Sequence, residues 1–226
     1  MAEQAPALRP PRQHRSRASF ERVLEAGAQL LTQSGYDSFT LAELTQRANV
    51  SVGAIYARVD SKETLVLAIH EREMARIRRE HRVFEDEERW RGLTAHGVVD
   101  ALVRELAALV LRNEAILRVF MILSATDPRI ADAGSQASNE LAAVWEARAL
   151  TRRDEFARPD PELAADVCFR IVYAACVRRV LHGPTFESSR ELSSALLVDE
   201  LVVICAGYLL GVSEADDSFV DRAEGE

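Results

Sequence analysis

Residues 40–62 read Thr-Leu-Ala-Glu-Leu-Thr-Gln-Arg-Ala-Asn-Val-Ser-Val-Gly-Ala-Ile-Tyr-Ala-Arg-Val-Asp-Ser-Lys, and their reading decides the fold. Thr40 with Glu43 three residues on, ahead of Leu41, Leu44 and Ala48 at helical spacing, forms a capping box that opens a short helix. Asn49 turns the chain. Ser51 then caps a second short helix running through Val52, Gly53, Ala54, Ile55 and Tyr56 to Arg58, and Ser61 caps a third that opens at Lys62. Two short helices joined by a tight turn have the helix-turn-helix form, whose second helix can enter the DNA major groove.

Upstream, Phe20, Val23, Leu24, Gly27, Leu30 and Leu31 recur on one helical face. The spacing predicts a helix that begins near Ser16 to Ser19, ends at Gly35 and packs on the two short ones. Tyr36 and Phe39 are expected to plug this small bundle. Val50 and Ile55 are expected to face inward, leaving Ser51, Val52, Ala54, Tyr56 and Arg58 for a groove. Gly53 and Ala54 lack bulk and permit close backbone approach to DNA.

The order Gly35-Tyr36, Ser38-Phe39-Thr40, Val50-Ser51-x-Gly53-x-Ile55-Tyr56 and Asp60-Ser61-Lys62-Glu63-x-Leu65 resembles the TetR family of one-component transcriptional regulators. The motif covers the first third of the chain, and beyond it the resemblance is architectural. It implies that Thr40, Tyr56 and Lys62 contact phosphates, the last from a helix start whose amides also face the anion. Arg58 is the candidate for a guanine, since its planar fork meets two acceptors, or it holds a phosphate. Two positions depart from the family pattern: Val52 stands where lysine or another polar residue is frequent, and Val59 where an aromatic is common. Val52 could still touch a thymine methyl.

The net charge of -8 is unevenly spread. Through Lys62, the only lysine, there are eight basic and six acidic residues, so this part is positive and the remainder strongly negative. Arg9, Arg12, Arg15 and Arg17 stand together before the first predicted helix. They read either as an arm that follows phosphates or a minor groove, or as a tail with no such role.

The chain has enough apolar residues for a sizeable core. The fold expected is all-α: an N-terminal three-helix bundle with the helix-turn-helix, plus a larger C-terminal helical regulatory and dimerisation domain, about nine helices in total. The divisions are residues 1–62, residues 63–212 and an acidic tail over 213–226, expected to be disordered. Within the larger part, helices are predicted from Lys62 to about Arg82 and over about 93–111, 114–123, 136–156, 162–181 and 189–210. The segment Phe84 to Arg91 is acidic and breaks the periodicity. Arg72, Arg76, Arg78 and Arg79 alternate with Glu71, Glu73 and Glu80, which reads as a solvated face with local ion pairs.

The last two long helices carry apolar residues on nearly every side: in the final one Leu192, Leu196, Val203 and Leu210 form one face, and Leu197, Leu201, Ile204 and Tyr208 another. A partner surface is implied, with small residues Ala174, Ala175, Ala206 and Gly207 allowing close approach; burial of both helices within one core is the alternative. The resemblance implies a homodimer through a four-helix bundle of these helices, reading a palindromic operator on double-stranded DNA with half-sites about 34 Å apart.

A small-molecule effector would bind among the middle helices. His96 lies on a face with Val99, Val103 and Leu106, with Asp100 one turn on, and Phe120, Met121, Trp145, Phe169 and Tyr173 could complete a wall; residues of these types are more often core than ligand site. No phosphate loop, HExxH, nucleophile elbow or paired-cysteine motif occurs, and five dispersed histidines offer no metal site, so neither an enzyme nor a cofactor is expected. Cys168, Cys176 and Cys205 read as small buried hydrophobes. The N-terminus lacks the apolar core of a secretory signal, and the longest apolar run, Leu201 to Val212, is shorter than the roughly 20 residues of a membrane span, so a cytoplasmic, membrane-free protein is expected. The function expected is a ligand-relieved repressor; the alternative is a dimeric helical scaffold or sensor that has lost specific DNA binding.

Overall fold

The computed structural model describes residues 12–211, with side chains from Arg17 on. Among them are ten α-helices, two 3₁₀ helices and no strand. The chain divides into two compact units inside one helix, between Met74 and Ala75, C-terminal to the Lys62 boundary suggested by sequence.

The first unit holds α1 (Arg12–Ser38), α2 (Leu41–Ala48), α3 (Val52–Tyr56) and the start of α4 (Lys62–Glu80). Helix α1 starts earlier than its predicted Ser16 to Ser19 opening, because Arg12, Gln13 and Arg15 are good helix formers and no glycine or proline stands among residues 12–15. Arg12, Arg15 and Arg17 are therefore helical and not a separate arm; Arg9 and the tail 213–226 lie outside the described residues. Gly35 ends the regular helix as expected, at φ 74° and ψ 176°, a conformation L-residues rarely adopt. Val23, Leu24, Leu30 and Leu31 are buried against Leu44, Ile55, Leu65 and Ile69 in one small core. Gly27 belongs to it: a Cβ there would collide with Ile69 Cδ1 and sit 3.8 Å from Leu44. Val59, where an aromatic was the usual residue, is buried nonetheless.

The second unit continues α4 from Ala75 through a 3₁₀ turn, His81–Phe84, into α5 (Glu87–Trp90), α6 (Ala95–Arg112), α7 (Glu114–Ser124), α8 (Pro128–Ala149), a 3₁₀ stretch Leu150–Glu155, α9 (Pro161–His182) and α10 (Ser194–Leu210). Helix α6 packs on α8, α9 and α10, while α7 packs on α8 and α9. Helix α8 begins well before the predicted Gln136. Asp127 accepts from the Arg129 N–H as N-cap and Pro128 occupies the first turn, so the pair starts a helix within the gap between the helices predicted over 114–123 and 136–156. Asp160 and Pro161 open α9 in the same way.

The acidic break at 84–91 conceals a packed corner. Phe84 and Trp90 are buried and stacked with centroids 6.3 Å apart, and Trp90 Nε1 donates to Val83 O at 2.7 Å. Arg148, itself buried, donates to Phe84 O at 2.7 Å and to Glu87 at 2.8 Å. The Arg148 guanidinium holds the Glu87 carboxyl below its usual pKa.

The three cysteines are buried, and burial raises the Cys176 pKa to about 11, as suits structural thiols. No helix among the described residues is long and apolar enough to cross a membrane, and none of their His, Cys, Asp and Glu side chains form a metal-binding group.

Candidate nucleic-acid interface

The caps that set α2 and α3 are formed as their residue types dictate. Thr40 Oγ1 accepts from the Glu43 N–H at 3.3 Å and donates to Glu43 Oε2 at 3.0 Å, so the glutamate returns to the threonine hydroxyl. Asn49 closes α2 in the left-handed region at φ 52°, which asparagine tolerates better than most residues. Ser51 Oγ accepts from the Ala54 N–H at 3.2 Å, and Ser61 Oγ from the Thr64 N–H at 3.1 Å.

Helix α3 then divides by direction. Ile55 is fully buried and Val59, just beyond the helix, nearly so; Ser51, Val52, Gly53, Ala54, Tyr56 and Arg58 face solvent, while Val50 is half-buried. Val52 is 45% and Tyr56 47% exposed, large apolar surfaces that nothing among the described residues covers. A Cβ on Gly53 would meet nothing nearer than Ser51 Oγ at 4.0 Å, so no internal contact requires glycine there.

Lys62 and Arg58 have internal partners that sequence reasoning missed. Lys62 Nζ donates to Tyr36 O at 2.9 Å and lies 4.2 Å from the Tyr36 ring centroid, fastening the end of α1 to the start of α4. Tyr36 Oη donates in turn to Glu63 Oε1 at 3.2 Å. The Glu63 carboxyl is held below its usual pKa by its own backbone N–H, then by the Ser61 and Tyr36 hydroxyls. The Arg58 guanidinium sits 5.6 Å from the Phe20 ring centroid. Neither pairing carries a local signal, since Phe20 and Tyr36 lie far along the chain from Arg58 and Lys62.

The candidate effector residues separate. Val99, Val103, Phe120, Trp145 and Phe169 are buried. Trp145 Nε1 donates to Leu102 O at 3.1 Å, its ring meets Phe169 edge-on at 5.9 Å, Phe169 stacks on Tyr173 at 5.5 Å, and the Tyr173 hydroxyl bonds Ser138 Oγ at 2.8 Å. Trp145, Phe169 and Tyr173 thus pack on one another as core. His96 does not join them: it is exposed at the first turn of α6, and Asp100 pairs with Arg104 at 2.9 Å instead.

On the last helices the exposed apolar side is narrower than expected. Leu196, Val203 and Ile204 are exposed on α10 and Leu163, Ile171 and Ala174 on α9, with Ala175, Gly207 and Leu210 half-buried. Ala206 is buried on the inner side with Leu201, so it does not belong to an outer face, and Ile204 joins Val203 where the sequence split them.

A capped two-helix motif presenting a small exposed helix, followed by an all-helical unit, defines the helix-turn-helix regulator class. Residues 23–69 match the model of bacterial regulatory proteins of the tetR family, and residues 96–209 match the tetracyclin repressor-like C-terminal domain. The chain belongs to the TetR family. It is a DNA-binding transcriptional regulator and not an enzyme. Similar solved structures include a putative TetR-family transcriptional regulator from Mesorhizobium loti, at 20% identity and TM-score 0.65 over 86% of this chain and 98% of that one. Another is Salmonella enterica GusR, at 23% identity and TM-score 0.60 over 85% and 95%. A third is a TetR transcription regulator from Haloarcula marismortui, at 17% identity and TM-score 0.63 over 85% and 96%. No curated protein matches the chain.

Proposed function

We propose that the protein is a homodimeric repressor that binds a palindromic operator and is released by a small-molecule effector. The observation that carries the reading is the solvent face of α3, where Val52, Gly53, Ala54 and Tyr56 are exposed and glycine has no internal purpose. On a major-groove edge Val52 meets a thymine methyl and the bare Gly53 backbone comes close to the bases. Tyr56 and Thr40 take phosphates through their hydroxyls, and Lys62 does so with the two donors left after its bond to Tyr36 O. Arg58 swings from Phe20 to a guanine or a phosphate.

Leu163, Ile171 and Ala174 on α9 and Leu196, Val203 and Ile204 on α10 form the self-complementary surface of the homodimer, which sets two copies of α3 one helical turn of DNA apart. Helix α4 is the lever. It starts at Lys62 in the DNA-binding unit and ends in a polar knot of the second unit, where Arg76 donates to Asn113 Oδ1 at 2.6 Å and to Glu80 at 3.1 Å, and Arg112 to Glu80 at 3.3 Å. An effector that favours one placement of this knot over another shifts the separation of the two recognition helices.

The test is a mobility shift with fragments from upstream of the protein's own gene and neighbouring genes. A shift that weakens with salt supports the reading. Absence of any shift across a genomic fragment library supports a helical scaffold of the same fold.

A further inference from the structure

Between the C-terminal end of α4 with its following 3₁₀ turn and the outer side of α8 lies a cleft of 530 Å³, formed within the second unit alone. Its charge is uneven in a way the pairing pattern of α4 did not lead one to expect. Arg76 is tied to Glu80, and Arg78 to Glu140 at 2.6 Å. Arg79 and Arg82, both lining the cleft and both exposed, have no ion-pair or hydrogen-bond partner for their guanidinium groups among the described residues. Two carboxylates line the cleft as well: Glu140, which pairs with Arg78, and Glu85, which stands against Arg79 and Arg82.

Beneath them is His81, 8% exposed and on the cleft wall, whose ring has no hydrogen-bond partner among the described residues. The side chain keeps some exposure on the cleft wall, where its ring is open to a hydrogen bond with a ligand atom. Burial, then the Arg78 charge, lowers the His81 pKa, so the ring is neutral at pH 7 and can accept or donate one hydrogen bond. Ala143 and Val144 supply an apolar wall from α8. An apolar wall, a neutral buried imidazole and two uncommitted guanidiniums suit a molecule with an anionic head and an aliphatic body.

We propose that this cleft binds a small amphiphilic organic anion, its carboxylate held by Arg79 and Arg82 and its aliphatic part lying on Ala143 and Val144. The inference rests on the ligand-responsive reading above and names the chemistry of the effector. It also moves the site from the aromatic core, which Trp145 and Phe169 fill, to the base of the α4 lever.

The test uses octanoate as probe and octanamide as its uncharged counterpart, titrated calorimetrically into the full-length protein and into an Arg79→Gln/Arg82→Gln double variant. Both substitutions are at exposed positions and leave the core intact. Expected is saturable octanoate binding that weakens about tenfold or more in the double variant, with octanamide binding wild type at least as weakly. Equal octanoate affinity in the two proteins, equal affinity for octanamide, or no saturable octanoate binding overturns the proposal. A parallel mobility shift separates it from the broader reading. If the protein is a regulator, both forms shift the operator fragment alike without octanoate, and octanoate releases the wild type alone. If neither form shifts DNA, the regulator reading fails while the calorimetry still decides the cleft.

Discussion

Replacing Gly53 separates folding from DNA binding more cleanly than any other single change. The position lies in α3, faces solvent, and offers an added Cβ open space to 4.0 Å, so alanine meets no obstacle among the described residues and a leucine side chain starts from an open, solvent-facing position. Glycine carries more unfolded-chain entropy than either, and both are better helix formers. Gly53→Ala is therefore expected to raise stability by about 0.4–1 kcal/mol, and Gly53→Leu by a similar amount. On DNA the sign reverses: a side chain where the backbone meets base edges displaces one set of close contacts, roughly 1–3 kcal/mol, or about five- to 150-fold in affinity. The loss should be larger for leucine than for alanine. Urea unfolding and fluorescence anisotropy with an operator duplex give the two quantities on the same samples. Unchanged affinity in Gly53→Leu, with its stability intact, refutes the assignment of this face to DNA.

Further outcomes follow from other parts of the structure. Tyr56→Ala should weaken binding to all sequences about equally and leave the salt slope unchanged, since a neutral hydroxyl releases no counterion, whereas Arg58→Ala should lower the slope if Arg58 holds a phosphate and alter base preference if it reads a base; anisotropy across salt and across operator variants distinguishes them. Lys62→Met should lower both DNA affinity and stability, because the same ammonium bonds Tyr36 O; a variant that loses affinity at unchanged urea midpoint contradicts the structural share of its role. Val203→Glu, at an exposed position on α10, should yield a monomer in sedimentation while helicity is kept, and a persistent dimer excludes this face as the interface. His70 is 2% exposed, and burial pushes its pKa from 6.5 to about 4. The unfolded chain thus binds a proton near pH 6.5 that the folded one refuses. Stability is full above pH 6.5 and falls on acidification toward pH 4, by up to about 3 kcal/mol. His70→Gln should flatten that part of the profile measured by urea unfolding, and an unchanged slope assigns the effect to other groups.

The helix-turn-helix was legible because its signals are local. A cap is a side-chain oxygen and an amide three residues apart, and Thr40, Ser51 and Ser61 each satisfy one in the structure as in the sequence. Asp127-Pro128 misled for the same reason: the pair can end one element or cap the next, and only the Asp127 bond to the Arg129 amide shows which. The roles of Lys62, Arg58 and Arg148 were hidden because their partners lie far along the chain: Tyr36 O, the Phe20 ring, Phe84 O. Helical periodicity placed His96 among valines, yet at the first turn of α6 no neighbouring element covers it. On α10, apolar residues surround the helix, so periodicity alone could not assign Ala206 inward and Ile204 outward.

The central claim is that the exposed side of α3 reads DNA as one of a pair. Its most direct test is a footprint on a genomic fragment captured by the native protein. The account predicts two protected major-groove segments about 34 Å apart, related by a two-fold axis, with protection lost in Gly53→Leu. A single protected segment, or a footprint that the Gly53→Leu protein reproduces, contradicts it.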